Sequence, residues 1–305
     1  MNRLDEEAPA TGRNWYILIV LTAALTLSYI DRFLLAVLVQ PIKQDLHLSD
    51  TAIGVLTGFA FAAFYAVLGL PLSRYADRGY RRNVILGSVF VWSVMTGLCG
   101  AAYSLWQMLL ARFGVGIGEA GLVPTAQSLI MDLFPPRRRS TAMGLFLSGG
   151  TTGLIIAFIL GSRLEALIGW RMTFMAMTIP GILLTLLVAL TISEPRTIAR
   201  AASSVRTHHA LRVLWDIPAY RHVPFTQSAL VILIYAQTQW LPAFIERSFG
   251  VSRMELGKIL GLTQGVAAFA GIIAGGVLAD LLAKHGELWR IRIIILGVTT
   301  GMVPA

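Results

Sequence analysis

From about Trp15 to Val39 the chain carries no charge except two adjacent and opposite ones, Asp31 and Arg32. A helix that crosses a bilayer needs roughly 20 mainly apolar residues, so this run is long enough to span. An ionised group at that depth is expensive. It persists where it faces a protein interior and meets a partner. Any fold of this chain must therefore give Asp31 and Arg32 a buried polar environment. The candidate partners come later, at Arg112 and Glu119.

The same kind of run recurs at 51–73, 83–103, 105–131, 141–162, 170–193, 222–245, 254–282 and 292–305, separated by breakers such as Gln40-Pro41, Asp77-Arg78-Gly79, Pro135-Pro136 and Glu194-Pro195. The chain is 56% hydrophobic and 13% charged. These runs predict an all-α polytopic membrane protein rather than a soluble domain. The first run is too long for the apolar core of a cleavable signal. The sole cysteine, Cys99, lies in an apolar run, which excludes a disulfide framework and reads as a small core residue.

The net charge of +9 invites a nucleic-acid reading, but the basic residues follow topology. With the N-terminus in the cytoplasm, most of the 25 lysines and arginines fall on the cytoplasmic side, and Lys43, Arg163, Arg171, Arg247, Arg253 and Lys258 fall on the other. The positive-inside rule thus predicts this orientation, in the cell inner (cytoplasmic) membrane, and argues against nucleic acid as a partner. Trp15, Trp106, Trp170 and Trp289 stand near span ends, as interfacial anchors do.

The expected organisation is a cytoplasmic tail over 1–14, a six-helix bundle over 15–193, a cytoplasmic linker over 194–221 and a partial second bundle over 222–305. The linker is the longest polar stretch, with a short surface helix expected near 210–216. Its His208-His209 pair has no Cys or carboxylate at ligand spacing, so no metal and no cofactor are expected. The chain also repeats itself. Laying 251–280 on 48–77 superposes a span-entry serine (Ser252 on Ser49), two glycines four apart (Gly257 and Gly261 on Gly54 and Gly58) and a span-exit Ala-Asp (Asp280 on Asp77). A parallel repeat of this kind relates the two halves of a twelve-helix transporter. In that register Ala305 falls on Ala102, so three further helices are expected, and the chain reads as an incomplete form.

Three sets of residues carry chemistry. Arg112, Gly116 and Glu119 are spaced i, i+4, i+7 and share one helix face. Counting about 1.5 Å per residue, Asp31 lies roughly 13 Å, Arg112 roughly 10 Å and Glu119 roughly 21 Å from the outer end of its helix. The four charges overlap in depth. They form either a static network that ties two helices together or a functional site, and four mid-membrane charges are a costly way to do the former. Asp77, Arg78, Arg81 and Arg82 form a tight acid–base loop that could latch one bundle to the other on the cytoplasmic face, with Asp280 as the counterpart of Asp77; positive-inside charge alone is the plainer alternative. In the seventh span Tyr235, Gln237, Gln239 and Trp240 supply aromatic and amide groups suited to a substrate, and Ile234 and Tyr235 replace Asp31 and Arg32 in the repeat. The charges therefore belong to the first half alone. Gly149 and Gly153 read as a helix-packing pair.

Asp77-Arg78 followed by Arg81-Arg82, with Arg112, Gly116 and Gly118, resemble the loop 2–3 and helix 4 signatures of the major facilitator superfamily. Tyr29-Ile30-Asp31-Arg32, Gly116-Ile117-Gly118-Glu119-Ala120 and Asp132-Leu133-Phe134 look like its spinster branch. Ser73 and Tyr80 depart from the general loop pattern, which has glycines there. The resemblance implies alternating access between two six-helix bundles and proton-coupled movement of lipid-like substrates such as lysophospholipids or sphingoid lipids, by a monomer. It implies that Asp31 and Glu119 carry protons, that Arg32 tunes them, and that Asp77, Arg78 and Arg81 gate the cytoplasmic side. The anion:cation symporter branch shares a similar pattern, and there Arg32 and Arg112 would bind a carboxylate. A non-transporting receptor or regulator is the rival of another class. No Ser/His/Asp set or phosphate loop points to an enzyme.

Overall fold

The computed structural model describes residues 11–192, 213, 215–283, 292 and 295–297. Among the described residues all regular structure is helical. Helix α1 is Gly12–Asp45, started by Thr11, whose hydroxyl accepts from the Asn14 N–H. The sequence marks Gln40-Pro41 as a break, yet the helix runs through Pro41 to Asp45. Proline removes one backbone hydrogen bond, and burial of Leu38, Val39 and Ile42 on both sides of it holds the segment helical regardless.

Helix α2, Asp50–Gly54, is capped by Ser49 and passes through a π-helical turn, Val55–Phe59, into α3, Ala60–Tyr75. A second π turn, Ala76–Tyr80, leads into α4, Arg81–Gly100. The apolar stretch Asp50–Gly100 is 51 residues long, about 75 Å if straight, more than twice a hydrocarbon core of roughly 30 Å. It must fold back, and it does so at Gly79, whose φ of 99° is open to glycine. Helices α5, Leu105–Ala120, and α6, Leu122–Leu133, divide the fourth run at Gly121. Helix α7, Pro136–Thr191, begins with proline at its first position and turns back at Gly169, where φ is 74°. Helix α8, Pro218–Phe249, starts a few residues before the expected span, and α9 is Arg253–Ala283. Most of the expected short helix near 210–216, the His208-His209 pair and most of the ninth run lie outside the described residues.

Small residues set the helix contacts. Gly149 and Gly153 let the first arm of α7 lie against α1: a Cβ on Gly149 would sit 2.7 Å from the Thr22 carbonyl oxygen, and one on Gly153 2.5 Å from that of Thr26. Gly116 and Gly118 bring α5 against Phe61 of α3 and Trp92 of α4. Gly257, Gly261 and Gly265 carry α9 onto Phe158, Ile159 and Ile155 of α7. Backbones this close gain dispersion contacts in a solvent that offers no hydrophobic driving force between helices.

Two ends can be told apart. The basic end carries Arg13, Arg74, Arg78, Arg81 and Arg82. The far end carries Asp45, Asp50, Glu165, Arg171, Arg247 and Arg253.

Candidate functional site

Asp31, Arg32, Arg112 and Glu119 are all buried, with Arg112 and Glu119 each 1% exposed. Helix α1 supplies the first two, and the glycine-lined α5 supplies the others. Arg32 forms an ion pair with Glu119, its Nη2 donating to Oε2. Ser28, one turn before Arg32 on the same face, donates to the same carboxylate oxygen at 2.8 Å. Asp31 turns the other way and accepts from Thr96 of α4 at 3.2 Å. Of the four charges, Arg32 and Glu119 thus form an ion pair, while Asp31 is held by the Thr96 hydroxyl.

Aromatic rings enclose Arg32. Its guanidinium carbon lies 4.9 Å from the Tyr29 ring centroid, 4.6 Å from Phe61 and 5.4 Å from Tyr65, and Arg112 shares Phe61 from 5.9 Å. Such faces stabilise a desolvated guanidinium without competing for its N–H donors. Arg32 also reaches the second half of the chain: its Nη1 donates to the Tyr235 hydroxyl at 2.7 Å, and Gln239 Nε2 donates to its carbonyl oxygen at 3.4 Å. Beside them lies a cavity of about 250 Å³ between α1, α7 and α8, lined by Tyr29, Phe33, Gly150, Thr151, Tyr235 and Thr238 among others.

Of the four residues singled out in the seventh span, Tyr235 and Gln239 reach Arg32. Gln237 is exposed, and Trp240 is half-buried with its ring 3.8 Å from where a Cβ on Gly54 would lie. The residues read as a cytoplasmic latch are divided. Asp77 and Arg78 are exposed at the π turn. Arg81 pairs with Asp132 at 2.5 Å, and Arg82 donates to the carbonyls of Ala189 at 2.6 Å and Ile192 at 2.5 Å. The side chain of Asp280 lies outside the described residues.

A second ionic cluster, which sequence reasoning did not assemble, stands at the far end and joins the two halves. Arg247 of α8 donates to Asp50 of α2 at 2.7 Å, and Lys43 donates to the same carboxylate at 2.7 Å. The Gln40 amide oxygen, oriented to satisfy its neighbours, accepts from Arg247 Nε at 2.8 Å and Nη2 at 2.9 Å. The hydrogen bonds from Arg247 and then Lys43 hold the Asp50 carboxyl down at about 2. Arg253 of α9 pairs with Glu165 of α7 at 2.6 Å and with Glu246 of α8 at 3.0 Å. Burial works to lower the pKa of Arg253, but Glu246 and Glu165 outweigh it and keep that pKa above its usual value. The signal present in the sequence was only that these acids and bases share one side of the topology.

A helical membrane protein organised around a buried arginine–glutamate ion pair is the class this geometry defines. Residues 21–305 match the Major Facilitator Superfamily, and the chain belongs to that family. It is 36% identical over 294 residues to an MFS-type efflux pump of Mycolicibacterium smegmatis (strain ATCC 700084 / mc(2)155), spanning 96% of this chain and 68% of the relative. It is 26% identical over 307 residues to the probable galactarate/D-glucarate transporter GudP of Bacillus subtilis (strain 168), spanning 91% and 67%. Among solved structures it is similar to a bacterial homologue of the human lysosomal transporter Spinster, inward-facing and unoccupied, with a TM-score of 0.78 and 31% identity over 90% of this chain. The chain spans 64% of that solved chain.

Proposed function

We propose that the protein is a proton-coupled secondary transporter of an amphipathic, lipid-like substrate, working by alternating access in the cytoplasmic membrane with its N-terminus inside. The observation that carries this reading is the Arg32–Glu119 pair, buried against aromatic rings and hydrogen-bonded to the second half through Tyr235. Protonation of Glu119 removes the charge that holds Arg32 and frees the guanidinium to turn toward Asp31. A change of partner of this kind favours one global state over another, which is what coupling requires. In this reading Asp31 and Glu119 exchange protons, Arg32 and Arg112 are their counter-charges, and Asp77, Arg78, Arg81, Arg82 and Asp280 close the basic end when the far end opens. Tyr235 and Gln239, with Gln237 and Trp240 further round the helix, offer the substrate surface. A lipid-like cargo is supported by the aromatic cavity beside Arg32 and by the likeness to the Spinster homologue.

A second reading has its own support. The relatives include sugar-acid transporters, and two buried arginines could take a carboxylate directly. Uptake into proteoliposomes under an imposed pH gradient, with a lysophospholipid and D-glucarate offered separately, divides the two. Gradient-driven accumulation of the lysophospholipid alone is expected. Accumulation of D-glucarate alone replaces the proposal with the anion reading, and uptake of either that ignores the gradient removes proton coupling.

A further inference from the structure

Among the described residues, the buried charges reach the second half of the chain through two hydrogen bonds, and both end on Arg32. They differ in kind. Gln239 binds the Arg32 backbone carbonyl, which does not move with the side chain. Tyr235 accepts from Nη1 of the guanidinium, whose Nη2 is on Glu119. One rigid planar fork therefore spans an acid on α5 and a hydroxyl on α8, and its prongs cannot turn independently. We infer that Tyr235 is the positioning residue through which the charge state of Glu119 is communicated to the second half. The inference rests on the proton-coupled reading above and adds the link that reading lacks.

The surroundings of Tyr235 suit this part. Its ring lies 6.1 Å from that of Phe33, which lies 5.9 Å from Tyr29, and Tyr29 in turn faces the Arg32 guanidinium. The ring contacts fix where the phenol stands, and the hydroxyl supplies the polar contact. When Glu119 is neutral its hold on Nη2 weakens and the fork can swing. The Tyr235 hydroxyl then loses its charged donor, and α8 loses a charge-assisted tie to α1. The titratable and charged groups facing this pair are Tyr29 and Asp31 on α1, Tyr65 on α3, Tyr235 on α8 and, across the Phe61 ring, Arg112 on α5. Glu119 itself and Asp31 are the carboxyls here, the groups able to take up a proton when the pH falls. Thr96 ties Asp31 to α4 within the first half, so the path to the second half runs through Glu119, Arg32 and Tyr235.

The test uses spin labels at Gln44 on α1 and Ser248 on α8, both exposed at the far end, in the protein reconstituted in lipid. Their distance distribution is measured from pH 8 to pH 5 with no substrate. The unsubstituted protein is expected to change with pH, and Tyr235→Phe, which keeps the ring and loses the hydroxyl, is expected to shift the midpoint by about one pH unit or to flatten the response, the scale of one hydrogen bond to a charged group. Tyr235→Gln puts an amide acceptor in place of the hydroxyl and is expected to keep the pH response, so a folded Gln variant with a flat profile overturns the assignment even if the Phe variant is unstable. A Phe variant that follows the unsubstituted profile also overturns it while leaving proton coupling intact. An unsubstituted protein with no pH response removes both.

Discussion

Among the described residues, the two ends of the molecule set the same residue types on different partners. At the far end, arginines reach from one half to the other: Arg247 to Asp50, and Arg253 to Glu165. At the basic end, the described bonds stay inside the first half, with Arg81 on Asp132, Arg82 on the end of α7, and Asn14 donating to the Leu133 carbonyl at 2.7 Å. Val231 to Ile234 on α8 stand exposed on the way to that end. Among the described residues, charges at the basic end tie helices of the first half to one another, and charges at the far end hold the two halves together. Between the two ends sits the buried pair, where one arginine does both.

The largest effect expected is at that pair. Arg32→Ala leaves Glu119 buried without its cation and removes the tie to Tyr235. Removing one partner of a buried ion pair costs about 3–5 kcal/mol. Melting in detergent should fall well below that of the unsubstituted protein, and transport should be lost. Retention of both would mean that Arg32 is not the centre of the comparison.

Glu119→Gln should cost less stability, because an amide oxygen still accepts from Ser28 and Arg32. It should abolish accumulation driven by a pH gradient while substrate exchange at equal pH continues. A static network predicts the reverse, with stability lost and coupling kept in whatever folds. Measuring exchange, accumulation and melting on the same preparation distinguishes them.

Gly257→Leu tests the far end through packing. Its Cβ would collide with the Phe158 carbonyl and the Ser162 hydroxyl, and overpacking of a tight contact costs about 1–3 kcal/mol. If the far end closes by this contact, the Gln44–Ser248 distance should lengthen in the variant. The equivalent change at Gly271, where a Cβ meets nothing within 4 Å, should leave it unchanged.

Much of this could be read from residue order. Apolar run length marked the spans and the Asp77-Arg78-Gly79 breaker marked the first reversal, whereas the reversal at Gly169 was not singled out in the sequence. The repeat placed Gly257 and Gly261 at a helix entry, and the i, i+4, i+7 spacing put Arg112 and Glu119 on one face. The rest was hidden for identifiable reasons. Pro41 looked like a stop because its own cost is local, and the burial that overrides it comes from other helices. Asp50 and Arg247 are 197 residues apart, so topology could place them on one side but not in contact. The arrangement of Arg32 on Glu119, with Asp31 turned to Thr96, depends on how α1 is rotated against α4 and α5, which adjacent charges in a sequence do not specify. Ser28 was the one readable clue, a hydroxyl one turn before Arg32.

The smallest expected effect concerns acid at the far end. The Asp50 carboxyl is held down at about 2 against an ordinary value of 3.8. A carboxyl with a lowered folded-state pKa contributes stability that is fully present above its ordinary value and lost as pH falls through the lowered one. The contribution of the Asp50 cluster is therefore complete from neutral pH down to about 4 and fades only toward 2. The carboxylate is exposed, so the contribution is screened by salt. It follows that the Asp50 carboxyl itself does not change charge between pH 8 and 5. Asp50→Asn should weaken closure slightly at every pH and leave the midpoint of the Gln44–Ser248 distance change where it was. A midpoint that moves, or a response that vanishes in Asp50→Asn, would assign the sensing to the far end and invert the comparison between the two regions.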